Sequence, residues 1–439
     1  MESFAVKLAD YTPAVSPTLD QQRDALQKGL GRAVQWAMAG RLDEGTLLDA
    51  CLHDWRFDGS VDEYRGDWLW QLVQAVHAED RFRESVFEAL NNLVENDAAQ
   101  LCQLGFHYAL TGDDTFRARL YKIVEEKPFA EMRYLGEEEI IRIDGEEAFL
   151  FAARLRGRQL EHREWEWDDS VLIDGAGKHL GKDRVENVLQ VASDEGAKRF
   201  RNAWLRAKSA EEASEESRES YADRMKQIPV ADIIAAAESP ETKYSYFRRW
   251  GRWASNQDLE AVLEHLLSSP EPKVIANYLE VFSWREFPRV LPELISLSQH
   301  HDPEVRRRAI GALENNSHPL VRQLAEAELQ KGVPGGLALG LFVKNYQDGD
   351  EQRIIEFAQL PEDSEQQHWL LKDATKILEE NPNADCSQLG VAVYALIPCA
   401  FCRHFAAKVL RDRQVAPSWL IEECRFDSEP DTRNLFATP

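Results

Sequence analysis

Four groups of residues in this 439-residue chain have types and spacings that could do chemistry. The first is Cys399-Ala-Phe-Cys402, which follows Pro398 at an expected helix start. There the helix dipole favours a thiolate, and Cys386 and His404 are close enough in sequence to suggest a zinc ligand set. On a helix, however, Cys399 and Cys402 share a face while His404 projects well away from Cys399. No second CxxC accompanies the pair, and no strand precedes it as a redox motif requires. The expectation is a pair of buried thiols acting as small apolar residues.

The second group, Gly175 to Lys182, has the look of a phosphate loop. It places five residues where the Walker pattern needs four, and Asp183 stands where Ser or Thr should follow. A turn is expected instead. The third, Trp165-Glu-Trp-Asp-Asp169, puts carboxylates beside aromatic rings, a combination suited to acid–base work or to stacking on sugars or bases. The plainer reading is an irregular segment pinned by two Trp rings, and Trp55-Arg-Phe-Asp58 and Trp68-Leu-Trp70 read as core packing in the same way.

The fourth group carries the main functional expectation. Arg248, Arg249 and Arg252 interleave with Phe247, Trp250 and Trp253, and Arg306, Arg307 and Arg308 recur two units later. Arg and Trp dominate interface energetics, so a partner-binding stripe is expected at Arg249, Trp250, Arg252, Trp253, Arg307 and Arg308. The competing reading has these arginines balancing neighbouring acids such as Glu260, Glu264 and Glu304. No catalytic residue, metal ligand or cofactor site is expected.

Bulk composition narrows the classes. The chain is 44% apolar and 29% charged, with a formal net charge of −25. That is the profile of a folded protein that repels polyanions, which disfavours nucleic acid and anionic membrane as partners and points to a basic protein or peptide. The longest apolar run, Leu389 to Phe401, is too short to span a bilayer. Met1 to Ser16 lacks the pattern of a signal peptide, and six scattered cysteines do not form a disulfide framework. A cytoplasmic protein is expected.

The elements that must position these groups are helical throughout. Gln21–Ala39, Asp67–Val76, Arg81–Val94, Ala98–Leu110 and Asp114–Val124 read as helices, the last two joined as a hairpin at Thr111 to Asp114. A less regular stretch follows near 132–183. Ser209 to Ser220 has no large apolar residue, which sets an acidic linker at 209–225 between an N-terminal helical domain, 1–208, and a repeat array, 226–439. In that array Pro240, Pro270, Pro303 and Pro334 recur at about 30 to 33 residues, the scale of a two-helix repeat. Six helix pairs can be drawn from Ile228 to Arg413.

The best unit is Pro288 to Asn315, and its segment HDPEVRRRAIGAL resembles the HEAT repeat: an Asp-Pro turn, Val-Arg, then small and aliphatic residues on an inner face. Trp250-Gly251 stands where Ile310-Gly311 does. The resemblance implies an all-α solenoid of HEAT-like helix pairs, with an irregular helical N-terminal half outside the repeat. It also implies a scaffold that binds another macromolecule along the concave face lined by second helices, and an inter-repeat pairing of Asp302 with Arg306. Some HEAT-like proteins resemble DNA glycosylases of the alkylation-repair type, for which Trp250, Trp253, Arg249 and Arg252 are the nearest raw material. The acidic net charge argues against that enzyme.

Overall fold

Helix starts are encoded locally. Pro272, Pro292, Pro303 and Pro319 occupy the first turns of Pro272–Val281, Pro292–Leu297, Pro303–Leu313 and Pro319–Gln330, where a missing N–H removes no intrahelical bond. Elsewhere a short polar side chain caps the first turn, as Asp43, Ser255 and Asp363 do. Of the four prolines that set the sequence period, Pro303 opens a helix. Pro270 lies two residues before a helix, Pro334 opens a single turn, Pro334–Gly336, and Pro240 lies outside the described residues.

A computed structural model describes residues 2–3, 11–59, 64–161, 171–217, 221–239 and 244–436. They form an all-α protein of 26 α-helices. The one sheet among them pairs Glu2–Ser3 antiparallel with Gln359–Leu360. Two compact units result, one of residues 14–218 with 426–429, the other of residues 1–13, 219–425 and 430–439.

In the first unit most helices pack against the second one after them. Leu19–Lys28 meets Glu44–Leu52, Arg32–Met38 meets Arg65–Ala75, Glu44–Leu52 meets Glu79–Asn91, and Arg65–Ala75 meets Ala98–Leu110. That alternation is the packing rule of a two-layer helical array, although no repeat is legible in the sequence. Trp68, Phe116, Phe149 and Phe200 are fully buried, and Trp70 is nearly so, as expected of core residues. The short segment 426–429 belongs to this unit through two hydrogen bonds: the Trp68 indole donates to the Phe426 carbonyl at 2.8 Å, and the Ser428 N–H to the Gly29 carbonyl at 2.9 Å. Gly29 is left-handed, with φ 72°, and a Cβ there would stand 2.0 Å from the Ser428 hydroxyl.

The stretch 132–183 differs from its expected irregularity. It holds the helices Glu137–Asp144, Glu146–Gln159 and Val171–Leu180. Gly136 and Gly145 sit at helix N-caps with positive φ, and the acids after them fill first turns, where the helix dipole favours negative charge. The Gly and acidic residues at Gly136–Glu139 and Gly145–Glu147 are helix-start chemistry. Gly175 and Gly177 likewise lie inside Val171–Leu180, so the expected turn is confined to Gly181. Glu195–Ser217 is one helix, and Tyr221–Gln227 follows it.

The second unit is a ladder of helix pairs. Six pairs lie between Val230 and Asp412: Val230–Ala237 with Tyr244–Gly251, Asn256–Ser268 with Pro272–Val281, Pro292–Leu297 with Pro303–Leu313, Pro319–Gln330 with the short turn Leu339–Phe342, Asp350–Phe357 with Ser364–Glu380, and Cys386–Leu396 with Ala400–Asp412. The second members stack in order, each on the next. Side chains at the ends of second helices hold the turns together: Asn315 donates to the carbonyls of Phe282 and Ser283 at 3.1 Å, Asn345 to Asn316 at 2.9 Å, and Asn381 to Val343 at 3.1 Å. These carbonyls lie at or just beyond helix C-termini, where intrahelical donors run out.

Candidate functional site

The Arg/Trp stripe divides once its side chains are placed. Trp250 is 1% exposed, and its indole donates to the Ile228 carbonyl at 3.1 Å. It is a core residue and offers nothing to a partner. Arg308 is also internal: it is bonded to Glu280 and donates through Nε to Glu304 at 2.7 Å. Glu280, itself 2% exposed, receives Arg248 as well, whose Nε lies 2.6 Å from Oε1. One carboxylate on Pro272–Val281 thus clamps the second helices before and after it. Arg307 is exposed and pairs along its own helix with Glu304 at 2.9 Å.

The expected Asp302–Arg306 pairing is not formed. Asp302 instead caps its helix, accepting from the Glu304 and Val305 N–H groups at 2.9 and 3.1 Å, while Arg306 donates to the His300 and His301 carbonyls at 2.7 and 3.0 Å. An Asp before Pro is well placed for capping, and that geometry turns its oxygens toward the backbone.

What remains at the surface is a compact cation–aromatic patch. Arg249 and Arg252 are exposed and, among the described residues, have no carboxylate partner. The Arg252 guanidinium lies 5.3 Å from the centroid of the Trp253 ring and 5.9 Å from that of Trp284, so it is within cation–π range of both. Arg248 lies 5.3 Å from Trp284, and Lys226 5.9 Å from Trp253. Trp284 is 48% exposed, unusual for a residue of that size. Sequence periodicity missed it because it follows the end of Pro272–Val281, outside any helical stripe. Its only sequence signal is an aromatic about one repeat after Trp253.

The first unit holds a cavity of about 530 Å³ lined by Glu138, Glu139, Arg142, Asp174, Lys178 and His179, among others. Most of its charges are already matched. Asp67 accepts from His107 at 2.7 Å and from Arg142 at 3.2 Å; burial would raise its pKa, but these two partners outweigh it and hold it below the usual carboxylate range. Arg156 is bonded to Glu137, and His179 lies 2.9 Å from Glu138. Glu139 is the exception, pushed up to about 7 by burial, with Glu138 adding to the shift. The segment Trp165 to Asp169 lies outside the described residues.

The cysteine pair acquires a partner that its sequence neighbourhood does not contain. His368, on Ser364–Glu380, places Nε2 3.1 Å from the Cys402 Sγ. Together with Cys399, the N-cap of Ala400–Asp412, these side chains each bring one ligating atom within 4.8 Å of the others. His404 and Cys386, the ligands suggested by sequence, are not in the cluster. Hydrogen bonding from the Cys402 thiol holds the Cys399 thiol far below its ordinary value, at about 4; burial opposes this, and His368 adds to it. Cys51, Cys102 and Cys386 are shifted the other way by burial.

Comparison with known proteins adds one finding. Residues 259–332 match the family described as HEAT repeats, which covers the pair Asn256–Ser268 and Pro272–Val281, the best sequence unit and the helix after it. The chain therefore carries HEAT repeats in its C-terminal half, within an all-α helical solenoid. No curated protein and no solved structure matches it. Among the described residues no helix is long and apolar enough to cross a membrane.

Proposed function

We propose that the chain is a non-catalytic scaffold that binds a protein partner through the patch of Lys226, Arg249, Arg252, Trp253 and Trp284, and that the segment bound there is acidic. The carrying observation is Arg252, within cation–π range of two partly exposed Trp rings in a protein of net charge −25. Cations in so acidic a chain are expected to be consumed by internal pairing, as Arg248 and Arg308 are at Glu280. Arg249 and Arg252 are left available to carboxylates, and the rings supply the rigid, apolar contact area that interface anchors provide. The net charge points to a basic partner; the local surface reverses that sign, because recognition is settled within a Debye length of about 8 Å in physiological salt. HEAT repeats support the scaffold reading, since each unit contacts only its neighbours and presents an extended surface.

Fluorescence anisotropy with three labelled probes tests this: a Glu/Asp-rich peptide containing one aromatic residue, a Lys-rich peptide of equal length, and a single-stranded oligonucleotide. The acidic peptide should bind tightest, weaken as salt rises, and lose at least tenfold in affinity with R249A/R252A/W284A. Preference for the Lys-rich peptide or the oligonucleotide, or indifference to the triple substitution, would refute the assignment.

A further inference from the structure

The His368–Cys399–Cys402 cluster spans two successive second helices of the repeat ladder, Ser364–Glu380 and Ala400–Asp412, which pack directly on each other. Cys399 is fixed at the helix N-cap and is 5% exposed, and Cys402 lies one turn further on, on the same face because residues three apart on a helix are neighbours. His368 comes from the preceding pair and closes the third corner. We infer that these three side chains bind a thiophilic divalent cation of the zinc class, with the fourth coordination position filled from solvent or by a partner.

The donor set fits such an ion. Two thiolates and one imidazole are a recurrent zinc combination, and bond lengths of about 2.3 Å to sulfur and 2.0 Å to nitrogen in a tetrahedron put the ligand atoms roughly 3.5 to 3.7 Å apart. The observed 3.1 Å between Nε2 and Cys402 Sγ, and the 4.8 Å limit on all three atoms, bracket that spacing. A metal therefore needs ligand-atom separations to change by no more than about an ångström. Half-burial of His368 and Cys402 leaves a route to solvent, as an open fourth position requires. The four remaining cysteines, all buried, lie outside the cluster. Loading would staple one repeat to the next.

The full-length chain, reduced and freed of metal with a chelator, should take up one Zn²⁺ in competition with a chromophoric chelator. With Co²⁺ it should show a thiolate-to-metal charge-transfer band. C399S, C402S and H368Q should each lower Zn²⁺ affinity at least tenfold, while C386S leaves it unchanged. Zn²⁺ should also raise the thermal midpoint of the unsubstituted protein. A readout that needs no variant is alkylation: bound Zn²⁺ should protect Cys402 from iodoacetamide in peptide mapping. The inference fails if no Zn²⁺ is taken up at micromolar concentration, if the Co²⁺ form lacks the thiolate band, if uptake survives both cysteine substitutions, or if Cys402 is alkylated equally with and without metal.

Discussion

Replacing Glu280 with Ala should destabilise the repeat-bearing unit by about 3 kcal/mol. The value follows from what is left behind. Removing one member of a buried pair costs about 3 to 5 kcal/mol, because the surviving charge stays desolvated. Arg308 would be that charge, with only 6% of its side chain exposed. Its second bond, to the more exposed Glu304, persists and moves the figure to the low end of the range. Arg248 is 40% exposed and adds less than about 1 kcal/mol, since water takes over when its partner is lost. Urea unfolding followed by circular dichroism measures the effect; with a slope of ~2 kcal/mol/M the midpoint should fall by roughly 1.5 M. The double substitution E280L/R308M removes both charges together, and should be neutral or stabilising by about 1 to 4 kcal/mol relative to the unsubstituted chain. A cost below about 1 kcal/mol for E280A, or a double variant less stable than either single one, would show that the clamp is not a desolvated pair.

Two glycines at matching positions of the repeat should respond oppositely. A Cβ on Gly251 would stand 1.9 Å from the Val281 carbonyl oxygen, so G251A should force two second helices apart and cost several kcal/mol, about the scale of core overpacking. Gly311 has open space around it, and G311A should stabilise by up to about 1 kcal/mol through helix propensity, both read from the same urea curves. In the first unit, Glu139 titrates near 7 when folded against an ordinary 4.5. The folded state then binds the extra proton between those values, so this carboxyl's contribution to stability is complete below pH 4.5 and is lost as pH rises through 7. E139Q should remove that loss, matching the parent at pH 4 and exceeding its stability at pH 8 by up to about 3 kcal/mol; equal pH profiles for the two proteins would refute it.

The sequence by itself determined the helical class, the two-helix period and the start of individual helices. Those features depend on interactions within a few residues: Asp302 caps the N–H groups two and three positions on, and Pro303 loses nothing at the first turn. It also singled out the Arg/Trp segments, but not which of their side chains face outward. Consecutive residues on a helix point about 100° apart, so Trp250 enters the core and Arg249 does not, while Arg306, Arg307 and Arg308 go respectively to backbone carbonyls, to a helical neighbour and to a buried clamp. Only the tertiary structure decided those fates, because the deciding partners come from the adjacent repeat. Glu280 is 32 residues from Arg248 and 28 from Arg308, and Cys402 is 34 from His368. A periodicity that spans one turn of helix cannot register a partner one repeat away. The charge clamp, the Trp284 platform and the cysteine–histidine cluster therefore emerge only when the helices stack.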